Sequence, residues 1–192
     1  MSKVRVGCVG TGIICDLVHL PALKSDDRVD LVALCGRNHG RTQQVADKHG
    51  IASTYSDYRD MIAKAGLDAI VIASPDDLHY EMAMAALDAG LHLLCEKPLA
   101  LNAAHAQAMY DKAEAKGVRH MSFFTWRWLP HYRYLRELLD QNPLGRLYHF
   151  AFSFRMKNGG TLGSFGFRIA RLALTSSVVN VSFERRSPPF ST

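Results

Sequence analysis

Val4-Arg5-Val6-Gly7-Cys8-Val9-Gly10-Thr11-Gly12-Ile13-Ile14-Cys15, residues 4–15, decides the reading of the fold. An apolar run ends in a glycine turn and passes straight into a helix-like stretch. Gly10 and Gly12 supply the first two glycines of a G-x-G-x-x-G fingerprint. Such glycines let the turn tighten and a pyrophosphate approach the backbone, while the next helix presents free N–H groups and the positive end of its dipole. The third position is Cys15, where glycine or alanine is usual, but cysteine is small enough to let helix and strand approach. In this strand–turn–helix setting Gly10, Thr11, Gly12, Ile13 and Ile14 are the expected cradle of a dinucleotide.

Outward from this turn the pattern alternates. Apolar strand-like runs recur at 31–35, 69–73, 91–95 and 119–124, with a weaker one at 53–55. Helical spacing fills 13–24, 40–49, 57–65, 78–89 and 102–116, and Gly50, Gly66, Gly90 and Gly117 close four of these stretches. Strand–helix alternation implies parallel pairing, with continuous apolar strands covered on both faces. The expected fold is α/β, a doubly wound parallel sheet over residues 1–125. The rhythm changes at Trp126. A connecting helix over 131–141, a turn at 142–145 and a strand over 146–156 with one aromatic face read as the start of a second α/β domain.

In an open parallel sheet, ligands sit at the carboxyl ends of the strands. The second strand ends in Cys35-Gly36-Arg37-Asn38, with Arg41 close behind and no carboxylate where an acid binds the ribose of NAD. Arginine there pairs with a 2′-phosphate, so Gly36, Arg37, Asn38 and Arg41 point to NADP, with NAD as the alternative. The third strong strand ends in Ser74-Pro75-Asp76-Asp77-Leu78-His79. Asp76 or Asp77 is expected to cap the following helix. The next strand ends in Glu96-Lys97-Pro98. There the lysine amine can donate to a substrate oxygen, Glu96 can hold that side chain, and Pro98 stops the strand.

The series GTG, SPxxxH, AGxHxxCEKPLA and TWRWLP, over residues 3–156, resembles the Gfo/Idh/MocA oxidoreductases, the glucose–fructose oxidoreductase and inositol dehydrogenase family. The resemblance implies an N-terminal Rossmann domain binding NAD(P), followed by an α/β domain with an open sheet. It implies hydride transfer between the nicotinamide and a sugar- or polyol-like alcohol or ketone. It makes Lys97 the catalytic residue and places Ser74, Pro75, His79, Glu96, Trp126 and Arg127 with Lys97 about the cofactor. It also implies a cis Lys97-Pro98 bond and a homo-oligomer. One departure is Asp76, where the family more often has asparagine.

The resemblance weakens beyond Met156. The family's second domain carries an aspartate and a histidine that move protons. Ser164 and Arg168 stand where these would fall, no aspartate follows Asp140 and no histidine follows His149. Residues 141–192 hold seven Lys/Arg and a single acid, Glu184, within an overall net charge of +5. The expectation for 157–192 is a frame-shifted or truncated tail without steady periodicity. A strand at 146–156 left without its sheet would expose an unpaired edge and promote self-association. The alternative to an active enzyme is therefore a catalytically incompetent dinucleotide-binding fragment.

Composition narrows the classes further. No apolar run approaches the ~20 residues that cross a bilayer, and Met1-Ser2-Lys3 leads directly into a strand, so a cytoplasmic protein is expected. The arginines of the basic tail form no helical stripe and no aromatic series, which argues against nucleic acid. Cys8, Cys15, Cys35 and Cys95 sit in apolar runs without metal-ligand spacing and read as reduced, packed thiols, with no metal site.

Overall fold

A computed structural model describes residues 2–141, 151–154, 165–166 and 179–182. The chain divides into two compact units, Met1–Phe123 and Phe124–Thr192.

The first unit begins with β1 (Val4–Val9), a π-helical turn (Cys15–His19) continuing as α1 (Leu20–Lys24), β2 (Val29–Cys35) and α2 (His39–His49). It goes on through β3 (Ser53–Tyr55), α3 (Tyr58–Lys64), β4 (Ala69–Ile72), α4 (His79–Asp88), β5 (His92–Cys95), α5 (Ala103–Lys116) and β6 (His120–Ser122). The strands form one sheet in the order β3-β2-β1-β4-β5-β6. Every pairing is parallel. The order reverses between β1 and β4, which opens a crevice at the carboxyl ends of those strands.

Local chemistry sets the helix limits. Asn38, Asp57 and Asn102 stand at the N-caps of α2, α3 and α5, accepting the backbone N–H of Arg41, Arg59 and His105. Gly50 and Gly117 end α2 and α5 with left-handed φ of 62° and 64°. The expected aspartate cap of α4 differs. The Asp76 carboxylate accepts the N–H of Asp77 within a 3-10 turn, Asp76–Leu78, and α4 itself has no side-chain cap.

The sheet is covered on both faces. Val6, Cys8, Leu34 and Val71 face Cys15, Leu20, Val45 and Ala46 on one side. Ala33, Cys35, Ile70, Ile72, Leu93 and Cys95 face Met61, Ala83, Leu87 and Met109 on the other. Each fully buried leucine or isoleucine contributes about 1.5–3 kcal/mol. The β1–β2 register slips between Val6 and Gly7, skipping Val32. A Cβ on Gly7 would stand 2.7 Å from Leu67 Cδ1, so β1 is glycine where the α3–β4 connection crosses it.

In the second unit a 3-10 turn, Thr125–Trp128, precedes α6 (Pro130–Asp140), and β7 (Ala151–Phe154) lies antiparallel between β8 (Phe165–Gly166) and β9 (Val179–Ser182). The strand expected at 146–156 is thus described over Ala151–Phe154, and it does have neighbours in a sheet. β7 pairs with β9 along Ala151–Phe154 and with β8 at Ala151 and Phe152. The expected turn at 142–145, and Ser164 and Arg168, lie outside the described residues.

Candidate functional site

The carboxyl ends of β1, β2, β3 and β4 surround a cleft of about 750 Å³. The turn after β1 forms its floor. Gly10 has φ of 117°, and a Cβ there would lie 2.3 Å from the carbonyl oxygen of Ala73. Only glycine lets β1 leave the sheet this close to β4. Gly10 N donates to Cys35 O and Ala73 N to Val9 O, both at 2.8 Å. Gly36 closes the other side, where a Cβ would meet Thr42 Oγ1 at 2.6 Å and Thr11 Cγ2 at 2.8 Å.

Gly12 differs from both. A Cβ there would meet nothing within 4 Å, so no packing demand explains this glycine, and the space above it opens to the cleft. The first bond of the following helix runs from Asp16 N to Gly12 O at 2.9 Å. The N–H groups just before it lack helical partners, as at any helix start, and carry the positive end of the dipole. An open, amide-rimmed space beside a side-chain-free turn fits a dinucleotide pyrophosphate.

Of the residues singled out from sequence, Gly10, Thr11, Gly12, Ile13, Ile14, Gly36, Arg37, Asn38, Ser74 and Pro75 line this cleft together. Arg41 does not. Its Nε donates to Thr11 O at 2.8 Å, so it braces the glycine turn from outside. His79 is also outside the lining. It is buried, with Nδ1 2.8 Å from Pro98 O and Nε2 3.0 Å from Ser74 O. Its ring thus lies between two strand-end loops, with its N–H donated to one of the two carbonyl oxygens.

Glu96 and Lys97 lie on the same edge of the sheet, at the end of β5. Glu96 N donates to Ile72 O at 2.9 Å, which keeps the turn against β4. Glu96 Oε1 is 2.9 Å from His19 Nε2, and Oε2 accepts Lys97 N at 3.0 Å. Lys97 is exposed, its ammonium forms no bond with another described residue, and Lys97-Pro98 is cis. Trp126 and Arg127 belong to the second unit, in the turn Thr125–Trp128, where the Trp126 ring lies parallel to Tyr132 at 6.2 Å.

Sequence reasoning missed a charged wall of the cleft. Asp57, Tyr58, Arg59 and Glu81 form one wall. Tyr58 Oη donates to Glu81 Oε1 at 2.9 Å, Arg59 pairs with the same carboxylate, and its guanidinium lies 4.5 Å over the Tyr58 ring. Burial, then the Glu81 bond, pushes the Tyr58 hydroxyl up to about 12. Burial raises the Cys35 thiol to about 11, and the Asp57 carboxylate adds to this. A carboxylate therefore does stand near the end of β2, brought there by the β3–α3 turn. The signal was the position of Ser56-Asp57-Tyr58 at a strand's carboxyl end, obscured by the weakness of β3.

Residues 4–124 match the family model GFO_IDH_MocA, described as an oxidoreductase family with an NAD-binding Rossmann fold. The chain is 33% identical over 147 residues to D-glucoside 3-dehydrogenase of Escherichia coli, covering 77% of this chain and 42% of that protein. It is 36% identical over 155 residues to a D-xylose 1-dehydrogenase (NADP(+)) of Haloferax volcanii, covering 80% and 47%. The WlbA dehydrogenase of Bordetella pertussis, solved with NADH and UDP-GlcNAcA, superposes with a TM-score of 0.74 at 30% identity, over 79% of this chain and 46% of that one. The chain thus spans less than half the length of these relatives. No described helix is long and apolar enough to cross a membrane. With its β1–turn–helix cradle, its Glu96-Lys97-Pro98 turn on the same sheet edge and a family match across the whole first unit, the chain belongs to the GFO_IDH_MocA oxidoreductase family.

Proposed function

We propose that the protein binds NADP, in preference to NAD, across the carboxyl edge of β1, β2 and β4. In the whole protein this serves hydride transfer between the nicotinamide and a sugar- or polyol-like alcohol or ketone. The observation that carries the reading is the open space above Gly12, which no packing demand explains. Gly10, Thr11, Gly12, Ile13 and Ile14 would hold the pyrophosphate, and Arg37 and Asn38 the adenosine ribose. The cofactor supplies the hydride chemistry. Lys97 donates a hydrogen bond to the substrate oxygen and stabilises the charge that gathers there. The named substrates of the relatives, a glucoside and xylose, support the carbohydrate class.

Titrating the protein into NADPH tests this: enhanced and saturating nicotinamide fluorescence is expected, with weaker NADH binding. No change with either nucleotide overturns it. A second reading, dinucleotide binding without turnover by this polypeptide, is favoured by residues 141–192, which hold no aspartate and no histidine beyond His149. Binding without NADPH consumption across a panel of keto-sugars selects that reading.

A further inference from the structure

Where α1 begins, the helix is not regular. Leu20 N donates to Cys15 O, five residues back, so Cys15–His19 forms one π-helical turn. Such a turn is wider than an α-helical one and recurs at functional sites. Its effect here is specific. Leu17 and Val18 stay exposed, while the successive residues His19 and Leu20 are both buried, at 3% and 0% exposure. Leu20 joins the apolar layer under β1 and β4. His19 is left beside the ends of β5 and β6.

There the imidazole meets two partners. Its ring is edge-on to Phe123, centroids 4.5 Å apart, and Phe123 N is bonded to Cys95 O at 2.8 Å. Nε2 lies 2.9 Å from Glu96 Oε1. A carboxylate only accepts, so Nε2 carries the proton and donates. Glu96 then has one oxygen engaged by His19 and the other by the backbone N–H of Lys97. A charge-assisted bond in a part-buried setting is among the stronger polar contacts. The same helix that starts at the cofactor cradle thus grips the residue preceding Lys97, across two strands of the sheet.

We propose that His19 is a positioning residue for Lys97: the π turn delivers its imidazole to Glu96, and Glu96 fixes the backbone of the turn that aims the Lys97 amine along the sheet edge. This rests on the function proposed above for Lys97. A widened turn would otherwise bury a polar ring where an apolar side chain packs as well against Phe123. The engaged carboxylate gives the ring its purpose.

The test uses the full chain and reads acylation of Lys97 by acetic anhydride, by peptide mass spectrometry, relative to the exposed Lys3, with and without saturating NADPH. In the wild type NADPH should protect Lys97 at least fivefold. His19→Leu and Glu96→Leu should each reduce protection below twofold at saturating nucleotide, the double variant should lose no more than either alone, and His19→Gln, which keeps an N–H donor, should restore at least half. Equal protection in His19→Leu and wild type, or additive losses, overturns the proposal. If His19→Leu fails to fold by circular dichroism, Glu96→Leu against His19→Gln decides: protection kept in the former, or lost in the latter, overturns it. Failure of the underlying reading looks different. NADPH then binds the wild type without protecting Lys97, or does not bind at all.

Discussion

The carbonyl oxygen of Ala73 stands where a Cβ of Gly10 would be, 2.3 Å from its ideal position. Gly12, two residues on, has no neighbour within 4 Å of that point. The two glycines of one motif therefore answer to different demands. Gly10→Ala should destabilise the fold by roughly 2–4 kcal/mol, combining a backbone clash with a strained positive φ. Gly12→Ala should leave stability within about 0.5 kcal/mol and weaken NADPH binding at least tenfold. Urea melts and fluorescence titrations separate the two effects.

Arg37 and Asp57 line one cleft with opposite charges. A 2′-phosphate is drawn to the first and repelled by the second. Arg37→Ser should weaken NADPH binding at least tenfold and leave NADH binding nearly unchanged. Asp57→Asn should strengthen NADPH binding severalfold, while its N-cap bond to Arg59 survives because asparagine caps as well as aspartate. Parallel titrations of the two nucleotides check both.

The His79 ring lies within hydrogen-bond distance of the carbonyl oxygens of both Ser74 and Pro98, and its N–H donates to one of them. His79→Leu keeps the apolar volume and leaves that part-buried acceptor unpaired, a loss of about 1–3 kcal/mol. Denaturant melts read the loss directly.

The Asp16 carboxyl is held below its ordinary value by bonds first to Lys48 and then to His49, at 2.8 and 2.7 Å. Its protonation is therefore harder in the folded state than in the unfolded one. The stabilisation is present above the ordinary value of 3.8 and is lost as pH falls through the lower folded value. Melting temperatures from pH 6 to pH 2 should fall less steeply in Asp16→Asn than in wild type.

Burial raises the thiols of Cys35 and Cys95 to about 11 and about 12. Cys8 is raised as well, by its contact with Cys15 and by burial. At pH 8 none of the four thiols should react with a disulfide reagent over minutes, and all four should react in denaturant.

Sequence by itself determined the layer order of the first unit, since continuous apolar runs are covered by helices on both faces, and Gly10 and Gly12 directly after the first strand marked the turn into the first helix. It also placed Arg37 and Lys97 at strand ends, because in a parallel sheet the chain order fixes which end faces the crevice. Tertiary structure alone decided which polar side chains meet there. Asp57 approaches Cys35 because β3 lies beside β2, His79 is drawn under the edge by the pitch of α4, and His19 reaches Glu96 through one widened helical turn. Each of these depends on a rotation of part of a helical turn or on the strand order, and residue spacing along the chain records neither.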